Sequence, residues 1–202
     1  MNIGFFFNSQ MKIKGTKTEI NLATSFAGEC MARTRYTFFA SKAKKEGYEQ
    51  ISQIFMETAE NEKEHAKMFL KYLQNDGSTV PIQCNVPNFS IGSTLDNLNF
   101  AAGGEHDEWS NIYPSMAKVA ESENFPQIAA TYRKIAEVEK AHEERYRLLA
   151  QQVKDKTVFK RTTERLWKCR NCGYIYKGTE APAVCPLCSH PQSFFELKEQ
   201  LE

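Results

Sequence analysis

The chain has 202 residues, enough for one medium-sized domain and a small companion. Its 26 Lys and Arg balance 25 Asp and Glu to a net charge of +1, which argues against nucleic acid or an anionic membrane as a partner. No apolar run approaches the roughly 20 residues that a membrane-spanning helix needs.

The first 13 residues differ in character from the rest of the chain. Their one apolar stretch, Gly4-Phe5-Phe6-Phe7, is too short for a secretory signal. We expect residues 1–13 to form a disordered extension, with Met11 as an alternative first residue.

Two helices are predicted next, each with one apolar stripe at helical spacing. The first covers about residues 18–47 and has Glu29 on its stripe, among Leu22, Phe26, Ala32, Tyr36, Phe39 and Ala43. The second covers about 48–75 and has Glu62 and His65 among Ile51, Phe55, Thr58, Phe69 and Tyr72.

A second pair of helices comes after a long connection that ends at Gly92. Ser93 and Asp96 mark the start of the third helix, and Pro114 is expected to bend or interrupt it. After a turn at 122–126, the fourth helix runs to about 153. The two stripes carry Glu105, Glu108, Glu139 and His142 among apolar residues. Four long helices with one long crossover predict an all-α ferritin-like four-helix bundle over residues 14–155.

The two helix pairs look like a duplicated hairpin. Glu62-Lys63-Glu64-His65 returns 77 positions later as Glu139-Lys140-Ala141-His142, and Glu105 follows Glu29 by 76 positions. Two such hairpins packed antiparallel have a pseudo-twofold axis. That axis would generate a pair of equivalent metal positions between the halves.

The stripes predict a dinuclear metal site. A carboxylate buried alone is costly, so glutamates on core-facing stripes must be protonated, paired or bound to a cation. Mixed carboxylate and imidazole ligands favour iron or manganese over a lone structural zinc. The predicted ligands are Glu29, Glu62, His65, Glu105, Glu108, Glu139 and His142.

Other polar residues of the bundle receive more ordinary interpretations. Tyr36 and Tyr113 are either core aromatics or donors of hydrogen bonds to ligand carboxylates. His106 and His190 are expected to be exposed or in loops. Exposed surface positions are predicted for Glu60, Glu64, Glu137, Glu143 and Glu144.

A second domain is predicted after a charged linker at 156–165. Two C-x-x-C pairs, Cys169 with Cys172 and Cys185 with Cys188, predict a tetrahedral four-thiolate metal centre within residues 166–202. The spacing alone does not separate structural zinc from redox iron. Trp167, Tyr174, Tyr176, Phe194 and Phe195 suit a compact rubredoxin-like fold.

Cysteine usage favours a reducing compartment. Four of the six cysteines belong to the C-x-x-C pairs, which leaves only Cys30 and Cys84. A disulfide framework is therefore disfavoured, and a cytoplasmic location is expected.

From Lys14 to Leu197 the sequence resembles the rubrerythrins. The resemblance is carried by motifs in a fixed order: Phe26-Ala27-Gly28-Glu29, Glu62-Lys63-Glu64-His65, Gly104-Glu105-His106-Asp107-Glu108, Glu139-Lys140-Ala141-His142, Cys169-Arg170-Asn171-Cys172-Gly173-Tyr174 and Cys185-Pro186-Leu187-Cys188-Ser189-His190-Pro191. Departures are few: residues 1–10 lie outside the pattern, Trp109 replaces another aromatic, and Cys30 follows a ligand directly.

The resemblance implies a non-haem diiron peroxidase that reduces hydrogen peroxide to water and protects against oxidative stress. It implies three irons per chain, with zinc substitution possible, and electrons from a reductase or rubredoxin through the four-cysteine iron. It also implies a head-to-tail homodimer and the exchange of His65 for Glu108 on one iron between redox states. We predict that Glu62 and Glu105, or a closely similar pair, bridge the irons.

Two alternatives remain from the residues. A ferroxidase or iron-storage protein uses a similar bundle, but Glu108 and the four-cysteine domain count against it. A non-catalytic module with a zinc ribbon is the second alternative. Colour separates it from the peroxidase, because iron bound by four thiolates is red when oxidised and zinc is colourless.

Overall fold

The structure is a computed structural model and describes residues 13–73 and 76–198. The predicted extension lies almost entirely outside these residues, as does Met11. Ile13 is described, and it is buried in a core cluster with Leu22 and Phe69. Ordered packing therefore includes at least one residue of the segment predicted as an extension.

Helices α1 (Lys17–Lys45) and α2 (Glu49–Leu70) form the first hairpin. Thr16 caps α1 by accepting a hydrogen bond from the backbone N–H of Glu19. Gly47, with φ +83°, closes the helix in the left-handed conformation that favours glycine. The chain then reverses at once into α2, so the two helices pack side by side.

The second hairpin has a broken first helix. Helix α3 (Thr94–Asp107) begins with a complete capping box between Ser93 and Asp96. A π-helical turn (Glu108–Ile112) comes next, and α4 (Tyr113–Ser122) continues with Pro114 in its first turn. The predicted interruption thus lies immediately before the proline. Asn124, at φ +64°, then turns the chain into α5 (Pro126–Lys154).

The aromatic and alanine side chains of these helices form two core clusters, one on each side of the polar centre. Tyr36, Phe39, Phe55 and Tyr146 belong to one, and Phe69, Tyr113 and Tyr132 belong to the other. The prediction of an all-α four-helix bundle with a small C-terminal domain is confirmed. None of the described helices has the length and apolarity needed to cross a bilayer.

The small domain is a three-stranded antiparallel sheet with strand order β2-β1-β3. The strands are β1 (Lys160–Cys169), β2 (Ile175–Glu180) and β3 (Phe195–Leu197). All five predicted aromatics pack in its core, where Trp167 donates a 3.0 Å hydrogen bond from Nε1 to the carbonyl of Gly178. Phe159 stacks on Tyr48 at the start of α2, with ring centroids 6.1 Å apart.

Strand β1 begins at Lys160, inside the segment predicted as a linker (156–165). The first half of this strand is largely exposed and contains a pairing irregularity between Lys160 and Arg165. It therefore has no alternation of apolar and polar residues, which is the signal that identifies a strand in a sequence.

Candidate metal centres

Six of the seven predicted bundle ligands meet in the middle of the helices. Glu29 comes from α1, Glu105 from α3, and each of α2 and α5 contributes a Glu-x-x-His pair. The glutamates at 29, 62, 105 and 139 are at most 1% exposed and His142 is 4% exposed. The two cores above and below enclose these groups, so water does not solvate them.

Their ligand atoms form two groups that share two carboxylates. One group contains Glu29, Glu62, His65 and Glu139, and the other contains Glu62, Glu105, Glu139 and His142. The oxygen and nitrogen atoms within each group lie within 4.8 Å of one another. Two metal positions with a common pair of carboxylates fit this geometry.

The shared pair is Glu62 with Glu139, whereas the prediction named Glu62 with Glu105 or a closely similar pair. Glu62 and Glu139 occur in both groups, whereas Glu105 occurs in only one. The reason is the approach of α2 and α5, on which each histidine faces the glutamate of the other helix. His65 Nδ1 lies 2.9 Å from Glu139 Oε1, and His142 Nδ1 lies 3.4 Å from Glu62 Oε1.

Unsatisfied polar atoms test whether metal ions fit here. Within the described chain, buried atoms without a hydrogen-bond partner include His142 Nδ1 and oxygens of all four central glutamates: Glu29 Oε2, Glu62 Oε1, Glu105 Oε2 and both oxygens of Glu139. His142 Nδ1 lies only 2.9 Å from Glu139 Oε2 without hydrogen-bond geometry. Such convergence of unpaired donor atoms suits a shared cation.

Two tyrosines hold the outer carboxylates. Tyr36 donates a 2.5 Å hydrogen bond to Glu105 Oε1, and Tyr113 donates one of 2.5 Å to Glu29 Oε1. Each tyrosine is buried, so each hydroxyl fixes one oxygen and leaves the second free. Of the two roles considered for these tyrosines, the structure therefore contains the hydrogen bonds to carboxylates.

The site binds protons tightly when it holds no metal. Burial raises the pKa of Glu105 to about 8, and burial followed by the charges of Glu62 and Glu108 raises the pKa of Glu29 well above its usual value. Burial acts to lower the pKa of His65, but the adjacent carboxylates of Glu139 and Glu62 outweigh it and raise the pKa to about 10. Positive charge is thus favoured in this pocket, as protons or as metal.

Glu108, the seventh predicted ligand, lies beside the two groups and belongs to neither. It is the first residue of the π-helical turn and lines a cavity of about 690 Å³ between α1, α3 and the crossover. Burial, and then the charges of Glu105 and Glu139, raise its pKa well above the usual value. The charges of the central cluster therefore raise the pKa of Glu108, although its carboxylate belongs to neither ligand group.

Sequence reasoning missed Arg35, which also lines this cavity. It is 8% exposed and contacts the rings of Tyr36, Phe89 and Phe100 at 5.4 to 5.8 Å. Its charge acts to lower the pKa of Glu108. A cation therefore stands beside the carboxylates, at a position that the apolar stripes do not predict.

Glu143, predicted to be a surface charge, is instead 6% exposed. It accepts hydrogen bonds from the side chains of His106, Trp109 and Arg147. Because it directly follows His142 on α5, it lies outside the apolar stripe, and the stripe contains no sign of its partners. The other four glutamates of that prediction are exposed.

The four paired cysteines form one compact cluster in the small domain. Their sulfur atoms lie within 4.8 Å of one another, with 3.7 Å between Cys169 and Cys188 and between Cys172 and Cys185. The turn formed by each C-x-x-C pair, here called a knuckle, is followed by a residue in the left-handed conformation: Gly173 at φ +77° and Ser189 at φ +60°. The backbone N–H of each bonds back to the carbonyl of the first cysteine of its pair. Four converging thiols suit a tetrahedral metal ion.

Two family models and a relative that match this chain all carry the name rubrerythrin. The family model described as Rubrerythrin matches residues 21–150, and the one described as "Rubrerythrin, rubredoxin-like domain" matches residues 167–196. A rubrerythrin of Clostridium perfringens is 57% identical over 92% of this chain and 96% of its own.

Solved structures give the same fold. A nigerythrin in a mixed-valence state superposes with a TM-score of 0.62 at 30% identity, over 98% of this chain and 94% of its own. A bacterioferritin from Desulfovibrio desulfuricans, at 19% identity and a TM-score of 0.63, covers 69% of this chain and 81% of its own and shares the bundle fold.

Proposed function

Since the chain belongs to the rubrerythrin family and has both a carboxylate–histidine cluster and a four-cysteine cluster, we propose that it is a non-haem diiron peroxidase that reduces hydrogen peroxide to water. The observation that carries the proposal is the pair of overlapping ligand groups around Glu62 and Glu139, joined in one chain to four thiolates. A storage protein has no evident need of the second cluster.

The seven bundle residues divide by position. Glu62 and Glu139, which belong to both ligand groups, would be shared by two bound irons; Glu29 and His65 would complete one metal position, and Glu105 and His142 the other. Glu108 would be the additional ligand, available from the cavity side. This assignment is supported by the distances between the ligand atoms and by the unpaired oxygens.

Two irons bound here would supply two electrons to the oxygen–oxygen bond of peroxide. With two protons, this reduction gives two waters. The four-cysteine iron would return the two electrons one at a time. The chain's own residues prepare the site for this. Tyr36 and Tyr113 keep one oxygen of Glu105 and Glu29 occupied, so each carboxylate presents its other oxygen inward. The apolar clusters on both sides exclude bulk water.

Peroxide would reach the site through the cavity that Glu108 and Arg35 line. Gly28 and Gly103 also line it, and the space beyond each, where a Cβ would stand, is empty within 4 Å. A small polar molecule therefore has room to approach Glu108 from the surface.

Electrons would enter through the four-cysteine iron from a reductase or rubredoxin. The small domain contacts its own bundle at the start of α2, where Phe159 stacks on Tyr48. Glu62 lies 14 positions beyond Tyr48, or about 21 Å along a helix axis that rises about 1.5 Å per residue. This separation supports delivery from a second copy in a head-to-tail homodimer. The reducing compartment implied by the cysteines is the cytoplasm.

The test combines metal analysis with anaerobic peroxide turnover, using a supplied reductase. Three irons per chain, a red oxidised protein and consumption of hydrogen peroxide coupled to donor oxidation would support the peroxidase. Oxygen-driven uptake of iron into a mineral with negligible peroxide turnover would indicate a ferroxidase instead. Zinc in the four-cysteine cluster together with no turnover would indicate a binding module.

A further inference from the structure

The start of the π-helical turn is attached to α5 on both sides of Glu108. Glu143 accepts a 3.0 Å hydrogen bond from His106 Nδ1, two residues before Glu108, and a short one from Trp109 Nε1, one residue after it. A carboxylate only accepts, so both nitrogens must carry their hydrogens. Arg147 Nε donates a third hydrogen bond of 2.5 Å, to the other carboxylate oxygen of Glu143.

Trp109 is held on its ring face as well. Lys140 Nζ lies 5.5 Å from the centroid of the indole ring, within the range of a cation–π contact. On α5, Lys140 directly follows Glu139, and Glu143 directly follows His142. One helix therefore supplies ligand atoms with one face and holds the Glu108 turn with the adjacent face.

The duplicated hairpin provides an internal comparison. At the offset that relates His65 to His142, Glu143 corresponds to Ala66. At the offset that relates Glu29 to Glu105, Glu108 corresponds to Ala32. Helix α1 runs from Lys17 to Lys45 as a regular α-helix, so the half without the additional carboxylate also lacks both the π turn and the buried acceptor.

A π turn is a local widening of a helix that is much rarer than regular α structure and is frequently found at functional sites. Such a turn persists when surrounding contacts outweigh its cost. Here the two hydrogen bonds that flank Glu108, from the side chains of His106 and Trp109, converge on one buried carboxylate of the facing helix.

We propose that Glu143 is a positioning residue that holds the π turn 108–112 and thereby fixes Glu108 toward the metal cluster. The role assigned to Glu108 rests on the proposed function, whereas the hold on the turn does not. The change Glu143→Gln separates the two, because it keeps the shape of the side chain but leaves one acceptor oxygen facing three donors.

The hold on the turn is tested without metal or turnover. In the metal-free protein, hydrogen exchange of the backbone amides of residues 108–112 should accelerate about tenfold in Glu143→Gln, as expected for the loss of a charge-assisted hydrogen bond. Glu144→Gln, an exposed neighbouring carboxylate, should leave that exchange unchanged. Equal protection in all three proteins would overturn the proposal.

The consequence for the metal site is tested by a double-mutant cycle in the iron-loaded protein. Glu143→Gln alone should lower peroxide turnover and metal affinity by roughly tenfold. In a Glu108→Gln background the same change should have little further effect, because Glu143 then has no ligand to position. Trp109→Phe, which removes only one donor, should show a weaker form of the same pattern.

Effects of Glu143→Gln that add fully to those of Glu108→Gln would contradict positioning through Glu108. If exchange of 108–112 accelerates but no variant, nor the parent protein, turns over peroxide, the proposed function fails and the hold on the turn stands.

Discussion

Tyr113 on α4 and Glu29 on α1 are joined by a buried hydrogen bond of 2.5 Å. Tyr113→Phe should reduce metal affinity about tenfold, because the carboxylate is then free to turn its ligating oxygen away. It should lower the free energy of unfolding by about 1–2 kcal/mol. Metal titration and denaturant unfolding measure the two effects.

Tyr132→Phe is the matched control. Its hydroxyl is also buried, but its partner is Ser25 Oγ at 3.3 Å and not a glutamate of the site. It should lose some stability and keep the metal affinity of the parent protein. Unchanged affinity in Tyr113→Phe would show that the hydrogen bond does not orient Glu29.

The metal-free protein should lose stability as the pH rises. The pKa of Glu105 is about 8 in the folded state against 4.5 unfolded, so its stabilising proton is fully present below pH 4.5 and is lost as the pH rises through 8. The pKa of His65 is about 10 against 6.5, so its contribution is lost between those values. Both effects have the same sign between pH 6.5 and 8.

Thermal unfolding with a chelator at pH 6.5 and pH 8 measures this, and the midpoint should fall by roughly 5 °C or more. With metal bound the protons are displaced, so stabilisation by metal should increase over the same range. A metal-free midpoint that rises with pH would contradict the assigned protonation.

Glu108→Ala is the most direct test of the seven-ligand assignment. Removing this carboxylate should lower peroxide turnover by roughly 10- to 100-fold, as for loss of a group that tunes a metal site, and should alter the spectrum of the diiron centre. The four-cysteine centre should keep its colour. Glu144→Gln, an exposed carboxylate outside this cavity, serves as the control and should keep full turnover. Full turnover with unchanged metal spectra would make the assignment wrong.

Ser189→Gly should stabilise the small domain. Ser189 has φ +60°, where a side chain costs about 1 kcal/mol that glycine avoids. At the equivalent position of the other knuckle, Gly173→Ala should destabilise by about 1–2 kcal/mol. A Cβ at Gly173 would meet no atom within 4 Å, so the cost comes from the backbone alone. The denaturant concentration at which the four-cysteine absorption disappears measures both changes, and equal midpoints would refute the argument.

The helices and the inward glutamates were predictable because burial imposes a period on the sequence. The four-cysteine cluster was predictable from the spacing of its two C-x-x-C pairs. The sequence did not predict that Glu139, and not Glu105, belongs to both ligand groups. An apolar stripe shows which face of a helix a residue occupies, but it does not show how closely two helices approach each other. Glu143 and Arg35 lie beside the stripe, and their importance depends on partners from other helices.

The two candidate metal positions also differ in protection from solvent. The side chain of His65 is 11% exposed, whereas that of His142 is 5% exposed. The duplicated halves thus provide similar ligands with unequal shielding. Metal beside His65 should therefore exchange sooner, which would make loading and loss of the pair an ordered sequence and not a single event.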